Sequence, residues 1–157
     1  MNDVTCDPAV SDEGVGLTGL QILQAAIADR TVTAPIAKLL SFELVEANEG
    51  FAVVEGDTGE HLLNQNGVVH GGWALTLIDS ACGCAALSVL PQNTSYASVE
   101  TKANFSRPIF AKTGRVRAEG RIVAAGKRII STECCVTGPD GKVLAHGTST
   151  VMVLSER

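Results

Sequence analysis

Apolar and polar positions along the chain follow two periods. Over residues 64–90 (NQNGVVHGGWALTLIDSACGCAALSVL), a polar glycine turn gives way to about eighteen apolar or small residues, interrupted by one carboxylate, Asp79. This run predicts one long buried helix beginning at His70-Gly71-Gly72. Downstream the period falls to two and predicts four strands. In residues 97–107, Val99, Thr101, Ala103 and Phe105 alternate with Ser98, Glu100, Lys102 and Asn104. In 115–123, Val116, Ala118 and Ile122 share one face; 128–137 and 143–154 flank a Gly138-Pro139-Asp140-Gly141 turn. Upstream, strands at 42–47 and 51–55 flank Asn48-Glu49-Gly50. Residues 17–30 read as an amphipathic helix capped by Thr18, and Pro35 opens a short helix through 40, placed to cover one edge of the core. Consecutive strands with short turns imply an antiparallel sheet, one face of which needs an apolar cover. The expected class is α+β: about six antiparallel strands wrapped around one long central helix, with an N-terminal helical extension.

Composition narrows this picture. At 157 residues, 45% hydrophobic and 18% charged, the chain has the size and apolar content of one core. The expected division is a flexible tail over 1–16 and one domain over 17–157. The tail is acidic, with no basic stretch and no apolar run to suggest a signal peptide. A net charge of −5 and 4% aromatics give no footing for nucleic acid or an anionic membrane surface. Asp79 within the apolar run, and the absence of flanking Lys or Arg, argue against a membrane span. The five cysteines (Cys6, Cys82, Cys84, Cys134, Cys135) have neither metal-ligand spacing nor an even count. They read as reduced thiols of a cytoplasmic protein, with no metal.

The central helix also carries candidate chemistry. Gly72, Thr76, Asp79 and Gly83 fall three or four apart and form one stripe, in which small residues leave room beside the acid. A purely structural Asp79 would need a partner, and none stands at helical spacing. At the N-terminus, Gly71 and Gly72 place bare backbone where the first N–H groups lack helical acceptors, which suits a carbonyl oxygen gaining negative charge. Gly71 and Asp79 are eight residues apart, about 12 Å along a helix. One carbonyl carbon cannot lie within reach of both. Two such helices packed antiparallel in a two-fold dimer would bring Gly71 of one near Asp79 of the other.

The pattern Asn64-x-x-Gly67-x-x-His70-Gly71-Gly72 with Asp79 seven residues on resembles the PaaI-like branch of the hotdog-fold acyl-CoA thioesterases. The resemblance spans about residues 18–154. It includes Ser98-Val99-Glu100, Ser106-Arg107-Pro108, Gly126-Lys127-Arg128 and Gly147-Thr148. It implies a helix inside a sheet, dimerised through the sheets and usually tetrameric, acting on acyl-CoA with no cofactor. It implies that the Gly71 N–H polarises the thioester carbonyl and that Asp79 of the partner chain is nucleophile or base. Asn64 would orient the thioester or water, and Ser98 would hold water. His70 would brace the Asn64 turn or hydrogen-bond near the carbonyl. Asp stands where part of the family has Glu, and Trp73 is a bulky residue placed to narrow the acyl pocket.

Coenzyme A needs cations for its phosphates; Arg107, Arg115, Arg117, Lys127 and Arg128 are the candidates, with Lys127 and Arg128 favoured beside the Gly126 turn. Gly72 and Gly83 are the expected small contacts along the substrate. A hotdog hydratase or dehydratase, with His70 as base, and a non-catalytic acyl-CoA-binding module remain as alternatives. No G-x-S-x-G elbow, phosphate loop or dinucleotide fingerprint occurs.

Overall fold

The structure, a computed structural model, describes residues 16–29 and 34–155. Of the tail expected over 1–16, residues 1–15 lie outside the described residues. Two helices come first, α1 (Gly19–Ala28) and α2 (Pro35–Leu39), then β1 (Phe42–Asn48) and β2 (Phe51–Asp57). The central helix α3 (Gly71–Leu87) precedes β3 (Thr94–Phe105), β4 (Arg115–Ala125), β5 (Ile129–Thr137) and β6 (Val143–Ser155). The six strands form one antiparallel sheet in the order β1-β2-β4-β5-β6-β3. The strands placed by alternation are all present, each within a few residues of its predicted bounds.

The α3 helix lies along the inner face of the sheet. Leu77, Ile78, Ala81, Cys82, Ala85 and Ala86 are fully buried against inward residues such as Val54, Val116, Val136 and Val151. Small residues let the layers approach closely. A Cβ at Gly120 of β4 would stand 2.4 Å from the Ala81 carbonyl oxygen, so β4 passes directly under the helix backbone. Trp73 is buried and its indole N–H donates to the Leu40 carbonyl at 2.8 Å. The ring fills the space above Gly56, where a Cβ would meet it at 2.7 Å. Trp73 therefore belongs to the core, and it is not the bulky group in an acyl pocket that its position after the glycines suggested.

Thr18 caps α1 with a reciprocal bond to Gln21. The Gly19 N–H donates to the Leu90 carbonyl at 3.1 Å, and a Cβ there would overlap the Leu87 carbonyl. The start of α1 is thus fastened to the C-terminal end of α3.

Strand β3 departs from simple alternation. Its register with β6 slips between Ser98 and Glu100, leaving Val99 as the extra residue, 60% exposed. Cross-strand partners share a face. Ser98 is opposite buried Val151 and Thr101 is opposite buried Ser149, so the bulge puts both on one face, with Thr101 half-buried and Ser98 exposed. An uninterrupted alternation had placed them on opposite faces.

Candidate functional site

The beginning of α3 is built by the turn before it. Asn64 folds that turn with its own side chain: Oδ1 accepts from the backbone N–H of Asn66 at 2.9 Å and of Val68 at 3.4 Å. Gly67, at φ +76°, provides the left-handed residue that the turn needs. The His70 N–H then donates to the Leu62 carbonyl, fixing the entry to the helix. His70 is the N-cap: Nδ1 accepts from the Gly72 N–H at 2.9 Å, and its carbonyl accepts from the Trp73 N–H at 2.9 Å. That bond keeps Nδ1 unprotonated and puts any ring proton on Nε2. Among the described residues no hydrogen bond joins the His70 ring to the Asn64 turn; each side chain serves the N–H groups next to it.

The capping leaves one donor over. With Gly72 and Trp73 engaged, the Gly71 N–H makes no hydrogen bond among the described residues. It lies at the positive end of a seventeen-residue helix. Gly71 lines a cavity of about 300 Å³ with Asn64, His70, Phe105, Ser106 and Arg107. The Phe105 ring stands over Gly71, 3.0 Å from where a Cβ would be, and is itself 58% exposed. A methyl group there would need this exposed ring to move by only a few tenths of an ångström.

Asp79 lies two turns along α3, half-buried. Its partner, which helical spacing could not supply, comes from the sheet: Thr101 Oγ1 donates to Asp79 Oδ1 at 2.8 Å. Ser149 Oγ lies 2.9 Å from the Thr101 hydroxyl and donates to the Glu100 carbonyl at 2.9 Å. With Ser149 donating to the backbone, the Thr101 proton goes to the carboxylate, and the two hydroxyl oxygens then meet with no proton between them. One carboxylate oxygen is thereby held and Oδ2 has no such bond. On the same flank of α3, burial pushes the Cys84 thiol up to about 12, reinforced by the Asp79 charge. Tyr96 is raised by burial first, then by Cys84 and Asp79.

Not every predicted residue converges. Asn64, His70, Gly71 and Arg107 surround one cavity. Thr76, from the same stripe as Asp79, is occupied by donating to the Gly72 carbonyl at 2.9 Å. Gly83 is covered by Tyr96, whose hydroxyl lies 2.6 Å from a would-be Cβ, so its small size admits a phenol. Lys127 and Arg128 are exposed on the β4–β5 turn, by the C-terminal end of α3 and far from Gly71. Arg115 and Arg117 are committed elsewhere, on the outer face. Arg115 binds Glu43, Glu55 and Asp57; Arg117 binds Glu46, Glu55 and Glu119. Among the described residues no cluster of His, Cys, Asp or Glu could hold a metal ion, and no helix is long and apolar enough to cross a membrane. Sequence reasoning missed Thr101, Ser149 and Tyr96. A hydroxyl on a strand carries no signal until the strand is paired and the helix laid over it.

Residues 66–145, half of the chain, match the model of the thioesterase superfamily. The chain belongs to that superfamily. Its members are built on the hotdog fold and hydrolyse thioesters. An inferred esterase of Saccharolobus solfataricus is 31% identical over 76% of this chain and 83% of its own length. A conserved protein of Pseudomonas aeruginosa is 31% identical, with a TM-score of 0.74 over 81% of this chain and 99% of that one. A thioesterase family protein of Silicibacter pomeroyi is 26% identical, with a TM-score of 0.75 over 85% and 99%. The phenylacetic acid degradation protein PaaI of Escherichia coli, at 24% identity and a TM-score of 0.74 over 87% and 96%, shares the fold. The thioesterase match begins within the Asn64 turn and covers α3 with both candidate groups, Gly71 and Asp79.

Proposed function

We propose that this thioesterase hydrolyses acyl-CoA thioesters, of aryl or medium-chain acids, to the free acid and CoA. The observation that carries the reading is the Gly71 N–H, without a hydrogen bond among the described residues, at the head of a helix that bears a sheet-held carboxylate eight residues later. The Gly71 N–H donates to the thioester oxygen as that oxygen gains negative charge. Asp79 of the partner subunit either takes a proton from the water that attacks the carbonyl carbon, or attacks it directly; the C–S bond breaks and the thiolate of CoA leaves, and in the direct route water then cleaves the Asp79 anhydride to release the acid and restore the carboxylate. Asn64 and Ser98 orient the thioester and the water. Arg107, beside Gly71, meets CoA phosphate, with Lys127 and Arg128 as the further cations. The chemistry needs no resident metal or cofactor.

Two sites per dimer follow from the spacing along α3. Support for the dimer comes from β3, a twelve-residue strand at the edge of the sheet with exposed Val99 and Phe105. A long unpaired edge invites a second copy. By family resemblance, two such dimers form the tetramer. The commitment of His70 Nδ1 to the Gly72 N–H weighs against His70 as the base of a hydratase.

The test uses mixed dimers. Gly71→Pro removes the N–H at the helix position that tolerates proline best, and Gly71→Ala keeps it. Asp79→Asn removes the carboxylate. Each homodimer of Gly71→Pro or Asp79→Asn is expected to lose at least about a hundredfold in kcat on acyl-CoA. The mixed dimer of the two is expected to recover one working site of two. An inactive mixed dimer, verified by mass, would refute the shared site; full activity in Asp79→Asn would refute the role of the acid.

A further inference from the structure

A second cavity lies along the side of α3 that carries Ser80 and Cys84, and the mechanism above does not use it. It holds about 500 Å³, within the range of small-molecule sites. Ala26 and Ile27 of α1 and Ala37 of α2 line one side, with Leu44 of β1 and Val54 of β2 on another. Ser80 and Cys84 of α3, with Tyr96 of β3, line the side toward Asp79. Ser80 is Asp79's neighbour in the chain. Tyr96 crosses Gly83, one turn beyond Asp79.

The lining is arranged along this axis. Hydroxyl and thiol groups stand at the end near the acid, and aliphatic groups stand away from it. The Tyr96 hydroxyl makes no hydrogen bond among the described residues, although the ring covers the helix backbone. No Lys or Arg lines the cavity. Its one charged lining residue, Glu43, has its carboxylate tied to Arg115. A second carboxylate in the chamber would be desolvated with no cation to pair it.

We infer that this chamber under α1 and α2 receives the acyl tail of the substrate, and that it selects uncharged, apolar tails over dicarboxylic ones. The inference rests on the acyl-CoA reading and adds a location and an exclusion. With the carbonyl between Asp79 and the partner's oxyanion donor, the tail runs past Ser80 and Tyr96 toward Ala26 and Ala37. The side chain of residue 26, on the last turns of α1, then limits tail length, because α1 is fastened at its other end by Gly19 to Leu90.

Two variants test this by both binding and turnover. Octanoyl-CoA, butyryl-CoA and glutaryl-CoA are compared by calorimetry and by thiol release. The wild type is expected to bind octanoyl-CoA at least tenfold more tightly than glutaryl-CoA. Ala26→Phe, which fills the far end, is expected to weaken octanoyl-CoA at least tenfold in Kd and in kcat/KM and to leave butyryl-CoA within twofold. Ile27→Ala, which enlarges the chamber, is expected to move the preference toward longer tails and serves if Ala26→Phe does not fold. Equal effects on all three ligands, or none in a folded variant, would overturn the chamber. Binding that depends on tail length without any hydrolysis would leave the chamber standing and overturn the thioesterase reading.

Discussion

Thr101 decides how Asp79 can act. A carboxylate on an apolar helix must be satisfied, and a single donor at 2.8 Å holds one oxygen and leaves the other for chemistry. Thr101 does not itself reach the substrate in this scheme; it positions the group that does. Thr101→Val keeps the shape and removes the donor. The expected result is a fall in kcat on the order of tenfold with KM little changed, and recovery in Thr101→Ser. Wild-type kcat in Thr101→Val would reduce the residue to packing. At this scale the sequence was legible for groups whose chemistry is local. The polar turn at 64–67 and the bare backbone at Gly71 and Gly72 lie in one short stretch and were read from it, while the side-chain bonds that Asn64 and His70 make to nearby N–H groups were not. It was not legible for Thr101, Ser149 or Tyr96, 22, 70 and 17 residues from Asp79 along the chain. Nor could alternation foresee that a bulge at Val99 would turn Ser98 and Thr101 to the same side.

At the scale of elements, the long apolar run and the period-two strands were read correctly because each buries one surface against the other. The closeness of that contact is set by glycine. Gly120 admits the α3 backbone over β4, where a methyl group would meet Ala81 O at 2.4 Å and Cys82 N at 2.9 Å. Backbone cannot step aside as a flexible side chain can. Gly120→Ala should therefore destabilise the fold by about 2 kcal/mol or more, read as a lower denaturation midpoint at unchanged slope. It should also disturb activity, since Asp79 is two residues from Ala81. A change of midpoint within error would show that the layers have slack. The same logic relocates Trp73: its neighbour glycines suggested a pocket, while the space over Gly56 made it core.

For the whole molecule, the outer face of the sheet is a lattice of ion pairs centred on Glu55, which binds both Arg115 and Arg117. The Arg115 hydrogen bond, and then that of Arg117, hold the Glu55 carboxyl below its ordinary value against the opposing effect of burial. A depressed folded value means stabilisation that is present above the unfolded value, about 4.3, and lost as pH falls through the folded one. Stability of the wild type should thus decline below about pH 4. Glu55→Gln should flatten that decline and lower stability at pH 7 by no more than about 1 kcal/mol, since the arginines are partly exposed. Thermal melts from pH 3 to 7 read both effects; an unchanged acid slope would exclude Glu55 as its source. The lattice also removes Arg115 and Arg117 from the supply of free cations and leaves Arg107, Lys127 and Arg128 for an anionic ligand.

The sequence by itself determined the class of fold, the order of its elements and the two ends of the chemistry, because period, caps and glycine turns are properties of neighbours in the chain. An eight-residue spacing is also the ground of the proposal that those two ends serve different sites. Only the tertiary structure decided which N–H remains unpaired, what holds the carboxylate, which arginines are already engaged and where an apolar chamber opens. Each of these depends on contacts between residues distant in the chain, and no local pattern encodes which of many strand hydroxyls or cations will meet.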